Sequence, residues 1–309
     1  MYLKKPILLL FLSFPFFSFL QADTNTSIFD TYHDNLCKML IDTSNSIDDY
    51  FIDGNISTSS NTYGEFSTSI AQESYLSFEN DVRFRLRLNL PKIQKNLRLV
   101  FEDDSSDNLL YDGTQLNDQH LDTKEYFLRL EYLNYVKNTF NIRMGGGLKV
   151  RKRNLVPYLN VRARYEFYNE QKNKSELFNR FRYYSDGEIE NNLELNSLYT
   201  ISDDLYTLWT NTFYHTNRFP HETLASSITA VSIFTDKQHI RYGLGISSHV
   251  NKFQDLTVDY YYLHSAFHHL FYKDWAYYEI SPSILQRKNN DFKTSYRLLV
   301  KFGIYFHKK

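Results

Sequence analysis

Cysteine is almost missing from this chain of 309 residues: Cys37 is the only one, so no intrachain disulfide can hold the fold together. A bias of charge is missing too. Without the two lysines of the first 22 residues the net charge is about −3 with histidine neutral, which does not suggest a nucleic-acid partner. Long hydrophobic runs are confined to the start, and nothing after residue 22 resembles a second helix able to cross a membrane. No His-x-Ser pair of the kind used by outer-membrane lipid hydrolases occurs, which argues against an enzyme.

The start, MYLKKPILLLFLSFPFFSFLQA, has Lys4 and Lys5 followed by an uncharged stretch from Ile7 to Leu20. It reads as a secretory signal peptide over residues 1–22, since the run is short for a bilayer span of about 20 residues. An exported chain without an internal membrane helix is periplasmic, secreted, or an outer-membrane barrel. Aromatic residues decide between these. Tyr (26) and Phe (25) dominate while Gly (10) and Pro (6) are sparse, yet mean hydropathy is −0.50, so the apolar residues must be spread singly.

Residues 23–62 form an N-terminal helical segment and linker. Phe29, Tyr32, Leu36, Met39 and Leu40 fall three or four apart on one helical face, with Cys37 expected on the packed side. A break at Thr43-Ser44-Asn45 predicts a second short helix through Ile47, Tyr50 and Phe51, ended by Asp53-Gly54-Asn55.

From residue 63 to 309 the period changes to two. In YLSFENDVRFRLRLNLP the even positions are Leu76, Phe78, Val82, Phe84, Leu86, Leu88 and Leu90, against Glu79, Asp81, Arg83, Arg85 and Arg87. The pattern recurs along the chain, separated by turn-like SDG, ISDD, TDKQ and RKNND. A soluble β-sandwich also alternates, but these strands are longer than its usual five or six residues and carry dense charge on the polar face. The fold class expected is an all-β membrane protein, an antiparallel transmembrane β-barrel. Dividing 66–79 from 82–90 at Asn80-Asp81 gives 14 strands, with a short N-terminal periplasmic helical segment. Twelve strands result if two weak segments, chiefly 205–216 and 222–235, are not strands. The long segment 104–124 falls on the extracellular side.

The inward face then carries Arg83, Arg85, Arg87, Arg98, Arg129, Arg143, Lys149, Arg151, Arg162, Arg164, Arg180, Arg182, Arg241 and Arg297, with Glu79, Asp81, Glu102, Glu131, Glu166, Glu190, Glu194 and Asp259. Two readings stand: a positive pore wall that favours anions, or cross-strand ion-pair ladders, with the acidic strand 188–196 neutralising the arginines. The nearest hydrolase candidates are His221-x-Thr223, the reversed Ser247-x-His249 and His215. Gly145-Gly146-Gly147 lies inside a strand and points to a close backbone approach, not a phosphate loop. His264 and His268 share a strand face about 13 Å apart, too far for one metal ion.

The order of parts, with ESYLSF, LPKIQKNLRLVFEDD, KDWAYYEISPSI and a closing aromatic strand, resembles an uncharacterised proteobacterial outer-membrane β-barrel protein family. That resemblance covers nearly all of the mature chain and implies fold and location, with no catalytic residue. Phe302, Ile304 and Phe306 in the closing strand are similar to the signal read by the outer-membrane insertion machinery. The expectation is a channel or passive transport pore in the outer membrane of a Gram-negative bacterium, in contact with outer-membrane lipid and capped or gated by the helix. An alternative is an assembly component docking a periplasmic partner through residues 28–52; a lipid hydrolase is a third. No cofactor and no metal are expected.

Overall fold

The computed structural model describes residues 28–51, 62–74, 76, 78–89, 98–103, 126–137, 139–151, 154–170, 172–219, 221–251 and 255–307. The expected signal peptide (1–22), the expected linker 53–62 except for its last residue, and the segment 104–124 therefore lie outside the described residues.

Strict apolar/polar alternation, rich in Tyr, Phe, Leu and Arg, builds fourteen strands because each apolar residue then faces one side of a pleated ribbon. They are β1 (Tyr63–Glu73), β2 (Glu79–Asn89), β3 (Arg98–Asp103), β4 (Tyr126–Lys137), β5 (Phe140–Arg151), β6 (Asn154–Asn169) and β7 (Asn173–Tyr184). There follow β8 (Ile189–Ser202), β9 (Leu205–Thr216), β10 (Glu222–Thr235), β11 (Gln238–Val250), β12 (Leu256–Tyr272), β13 (Ala276–Arg287) and β14 (Thr294–His307). Each pairs antiparallel with its neighbours in sequence, and β1 pairs with β14, closing the sheet so that no edge is left. The weakly alternating segments 205–216 and 222–235 are strands, which settles the number at 14.

One face of the cylinder is apolar and exposed, as in Leu159, Leu155 and Tyr296 at 64–66%. The alternate positions are polar and buried, such as Glu65, Arg129, Lys149, Arg182 and Glu190. The core of this protein is thus its charged interior, and its hydrocarbon faces outward, as lipid requires.

Two assignments differ from the sequence reading. The helix α1 (Ile28–Phe51) runs unbroken through Thr43, Ser44 and Asn45. Ser44 is buried, so tertiary contact outweighs the weak propensity of those residues. Strand β1 ends at Glu73 and β2 begins at Glu79, so the turn between them does not fall at Asn80-Asp81. No Gly or Pro marks it; Ser74 N donates to Tyr296 O (2.9 Å) and the Gln72 amide to Leu76 O (3.0 Å), which closes it through polar groups. Leu76 and Phe78 consequently sit in that connection, outside the strands.

The Gly145-Gly146-Gly147 run lies within β5 against β4, where β4 carries a bulge between Glu131 and Asn134. A Cβ at Gly147 would meet the Leu128 carbonyl oxygen closer than real Cβ contacts occur. Gly147→Val is expected to destabilise the barrel by about 1–3 kcal/mol through strand displacement, read as a lower unfolding midpoint in detergent. Gly146→Val, whose Cβ would find ordinary room, is the control.

Candidate functional site

The interior wall is the candidate site, and it has three parts. Strands β4 to β8 form an ion-pair ladder. Glu131 accepts from Arg129 Nε (3.0 Å) on its own strand and pairs with Arg162 Nη1 (3.1 Å) from β6. Glu190 of β8 accepts from Lys149 (3.1 Å), Arg182 (3.2 Å) and the Tyr184 hydroxyl (2.6 Å). Arg151 pairs with Asp186 (3.2 Å) and with Glu188. Lys174 bridges Glu166 (3.0 Å) and Glu176 (3.8 Å), and Arg164 approaches Glu176 at 3.7 Å.

Period two makes this ladder possible, since residues two apart on a strand share a face and meet the same-face residues of the next strand. Rings stiffen it: Lys149 stands 4.5 Å from the Tyr184 centroid and Arg182 4.3 Å from that of Phe127. Phe127, Val156, Tyr158 and Tyr184 pack as a small buried cluster beside the charges.

The second part is the closure seam. Glu65 of β1 accepts from Arg85 of β2 (3.2 Å), Tyr63 (3.0 Å) and Tyr277 of β13, and Lys301 of β14 lies 3.5 Å away. At the other end of β1, Glu73 accepts from Arg287 Nε (3.0 Å) and Nη2 (2.9 Å) and from Ser295 (2.8 Å). Arg297 reaches Glu79 at 3.2 Å. Sequence reading missed Glu65, Glu73, Glu176 and Glu279 as interior acids. Their parity was available: Glu176 shares it with Arg180 and Arg182, and Glu65 pairs in register with Arg85.

The third part is lined by short side chains. Thr210, Ser227, Thr229, Gly243, Gly245 and Ser247 lie on the polar face of β9 to β11. Larger inward side chains on the neighbouring strands lie against glycine: Tyr262 over Gly245, His264 over Gly243, and Tyr277 over Gly303.

The remaining sites predicted from sequence fall as follows. Arg180 is buried, Glu194 accepts from Asn192 (2.7 Å), and Arg83 donates to Asp81 (2.6 Å). Arg87 and Arg143 are half-buried at inward register positions, and Arg98 stands in register opposite Glu131. Arg241 donates to Glu279 (2.6 Å). The histidines named as hydrolase candidates gather at the β9–β12 end: His215 lies 3.4 Å from Glu222, His249 2.5 Å from Asp259, and the His221 and His249 rings stand 5.1 Å apart. Thr223 sits opposite His249 in register, while Ser247 lies beyond it toward the strand interior, beside the bulge at Ser247/Ser248. Phe302, Ile304 and Phe306 lie together on the apolar outer face of β14.

The helix meets the barrel at its N- and C-terminal rim. Asp30 pairs with Lys273 (2.7 Å) in the β12–β13 turn and accepts from Tyr272 (3.2 Å). The hydrogen bond to Asp30 holds the Lys273 ammonium above its ordinary pKa. His33 donates to Tyr305 O (2.8 Å) and stacks on Trp275 at 4.5 Å. Cys37 is half-buried beside His33, at 3.6 Å, on this barrel-facing side.

No family model matches the chain, and no curated protein matches it in sequence. Solved structures match in fold. Outer-membrane expressed OmpT of Vibrio cholerae aligns with a TM-score of 0.51 at 10% identity, over 81% of this chain and 99% of that one. This chain has the fold of an outer-membrane β-barrel. The outer membrane channel DcaP of Acinetobacter baumannii aligns at a TM-score of 0.48 and 8% identity, over 82% of this chain and 99% of its own. The anion-selective porin from Comamonas acidovorans aligns at 0.48 and 10%, over 80% and 99%.

Proposed function

We propose that this outer-membrane barrel is a passive channel for small polar solutes. The observation that carries the reading is the way bulky inward side chains lie on the wall. Tyr262, His264 and Tyr277 rest over Gly245, Gly243 and Gly303, so large rings lie along the sheet instead of reaching for the axis. The polar face of β9 to β11, a hydroxyl wall lined by the short side chains of Thr210, Ser227, Thr229 and Ser247 with Gly243 and Gly245, adds a second support, because it leaves the space beside those strands free of long side chains.

In this reading the arginines and acids of β4 to β8 form a rigid, nearly balanced wall of the conduction path, so selectivity between anions and cations is weak. Gating by α1 is not part of the proposal, because its contacts run along the rim and its outer face. The outer face of β14, with Phe302, Ile304 and Phe306, serves insertion by the outer-membrane machinery, in line with the proteobacterial family that the sequence resembles.

Single-channel recording of the purified mature chain in planar bilayers tests the proposal. Stepwise, ohmic current is expected, and its absence from folded protein overturns the channel. In Gly245→Val the new side chain would displace the Tyr262 ring into the lumen, so a clear drop in unit current is expected with the barrel still folded. Unchanged current would mean that solute does not pass this wall.

A further inference from the structure

The helix α1 presents three separate sides at helical spacing. Asp30, His33, Cys37, Leu40 and Ser44 face the barrel and are buried or half-buried. Thr31, Asp34, Asn35, Lys38 and Asp42 make an exposed polar side. Ile28, Phe29, Tyr32, Leu36 and Met39 make a third side that is apolar and 41–69% exposed. Of the apolar face read from the sequence, Phe29, Tyr32, Leu36 and Met39 are therefore uncovered, and Leu40 alone joins Asp30, His33, Cys37 and Ser44 in docking on the barrel.

The place of docking says what lies against the uncovered side. A Cβ at Gly64 would touch Leu40 Cδ1 at 3.2 Å and Phe306 Cβ at 3.3 Å. Gly64 and Phe306 are register partners on the outer face of the wall, the face that carries exposed Phe66 (42%) and Phe302 (48%). His33 stacks on the same Phe306 ring at 5.8 Å. Leu88, also of outward parity, is buried near the same rim, on a strand that α1 packs against. The helix thus lies along the outside of the rim, crossing the β14/β1 seam.

Its length fits that path. From Asp30, tied to the β12–β13 turn, to Leu40, against β1, it advances about 15 Å. Crossing β13 and β14 to reach β1 takes between two and three strand spacings of about 4.8 Å each.

We propose that α1 is an interfacial helix whose apolar side is seated in the lipid of the periplasmic leaflet. The argument is continuity. The side of α1 that touches protein touches the lipid-facing surface of the barrel at its edge, so a neighbouring side of the same helix meets the lipid that wets Phe66 and Phe302. A helix about 10–12 Å across spans the depth from Gly64 to Phe66 and beyond, so Tyr32 and Leu36 reach the level of that first hydrocarbon row. The opposite side, with Asp34, Lys38 and Asp42, then faces the aqueous periplasm. Three sides for three environments, protein, lipid and water, is the pattern of a helix lying in the interface plane. The inference stands whether or not the lumen conducts.

Spin labels in the full mature chain, folded into phosphatidylethanolamine/phosphatidylglycerol vesicles, test it. On a Cys37→Ser background, labels placed by Tyr32→Cys and Leu36→Cys should be reached by oxygen several-fold more readily than by a water-soluble nickel chelate. Labels from Lys38→Cys and Asp42→Cys should show the reverse preference. Nickel access at 32 and 36 equal to that at 38 and 42 overturns the proposal. So does a label at 36 that is reached by nickel in vesicles and shielded only when periplasmic extract is added, because the side would then be a protein-docking surface. Should a cysteine variant fail to fold, amide exchange over residues 28–44 of the unaltered protein decides. Exchange several-fold slower in vesicles than in short-chain detergent supports seating in lipid, and equal exchange overturns it.

Discussion

Glu65→Ala should lower the thermal unfolding midpoint by roughly 10 °C, followed by loss of β-sheet signal in detergent and by loss of the faster gel migration of the folded barrel. The reason lies in how a barrel closes. Strands β1 and β14 are distant in the chain, and no covalent or local restraint holds them together. Their main-chain ladder is reinforced on the inside by one carboxylate that gathers groups from β2, β13 and β14: Arg85, Tyr277 and Lys301. The Glu65 and Arg85 side chains are 7% and 11% exposed, so water cannot replace the lost partner cheaply. Breaking one member of a buried pair costs about 3–5 kcal/mol, and at about 2–4 °C per kcal/mol that gives the stated fall. Glu65→Gln keeps an acceptor for Tyr277 and should lose less. Asp81→Ala serves as the comparison: the Asp81 and Arg83 side chains are 21% and 36% exposed, and removing such a pair costs about 0–1 kcal/mol.

The seam also shows what sequence can and cannot disclose. Alternation along 63–309 was enough to assign a closed barrel, because a period of two with charge on one face has few physical solutions once export is assumed. Parity put Arg129, Lys149, Arg182 and Glu190 on one face of their strands, and all four side chains are buried, since a face is a local property of a strand. Partners were harder. That Glu73 would hold Arg287 in a bidentate grip depends on closing the chain end to end, and no local pattern encodes that register. The β1–β2 turn was misplaced because the side chains of Ser74 and Gln72 close it without Gly or Pro. The orientation of α1 was only partly legible for a different reason: Cys37 lies on the packed side as expected, but that Asp30 and His33 would anchor this side to the barrel depends on Lys273 and Tyr305, far away in the chain.

Glu190→Ala should produce the other large effect, and it joins stability to permeation. Glu190 is the shared acid of Lys149 and Arg182, whose side chains are each 1% exposed. Removing it leaves two interior cations facing each other, and the Tyr184 hydroxyl loses its acceptor. If the ladder is as dry as its burial indicates, the loss is about 3–5 kcal/mol and exceeds that of Glu166→Ala, whose side chain and that of its partner Lys174 are 27% and 31% exposed. In a conducting lumen the same variant adds net positive charge to the wall, so the zero-current potential in a salt gradient should shift toward anions. The two readouts separate two pictures of the interior. A large loss of stability with unchanged selectivity places the solute path away from β5 to β8, beside the hydroxyl wall. A shift toward anions with little loss of stability means that water already reaches Lys149 and Arg182, and the ladder is then part of the pore surface.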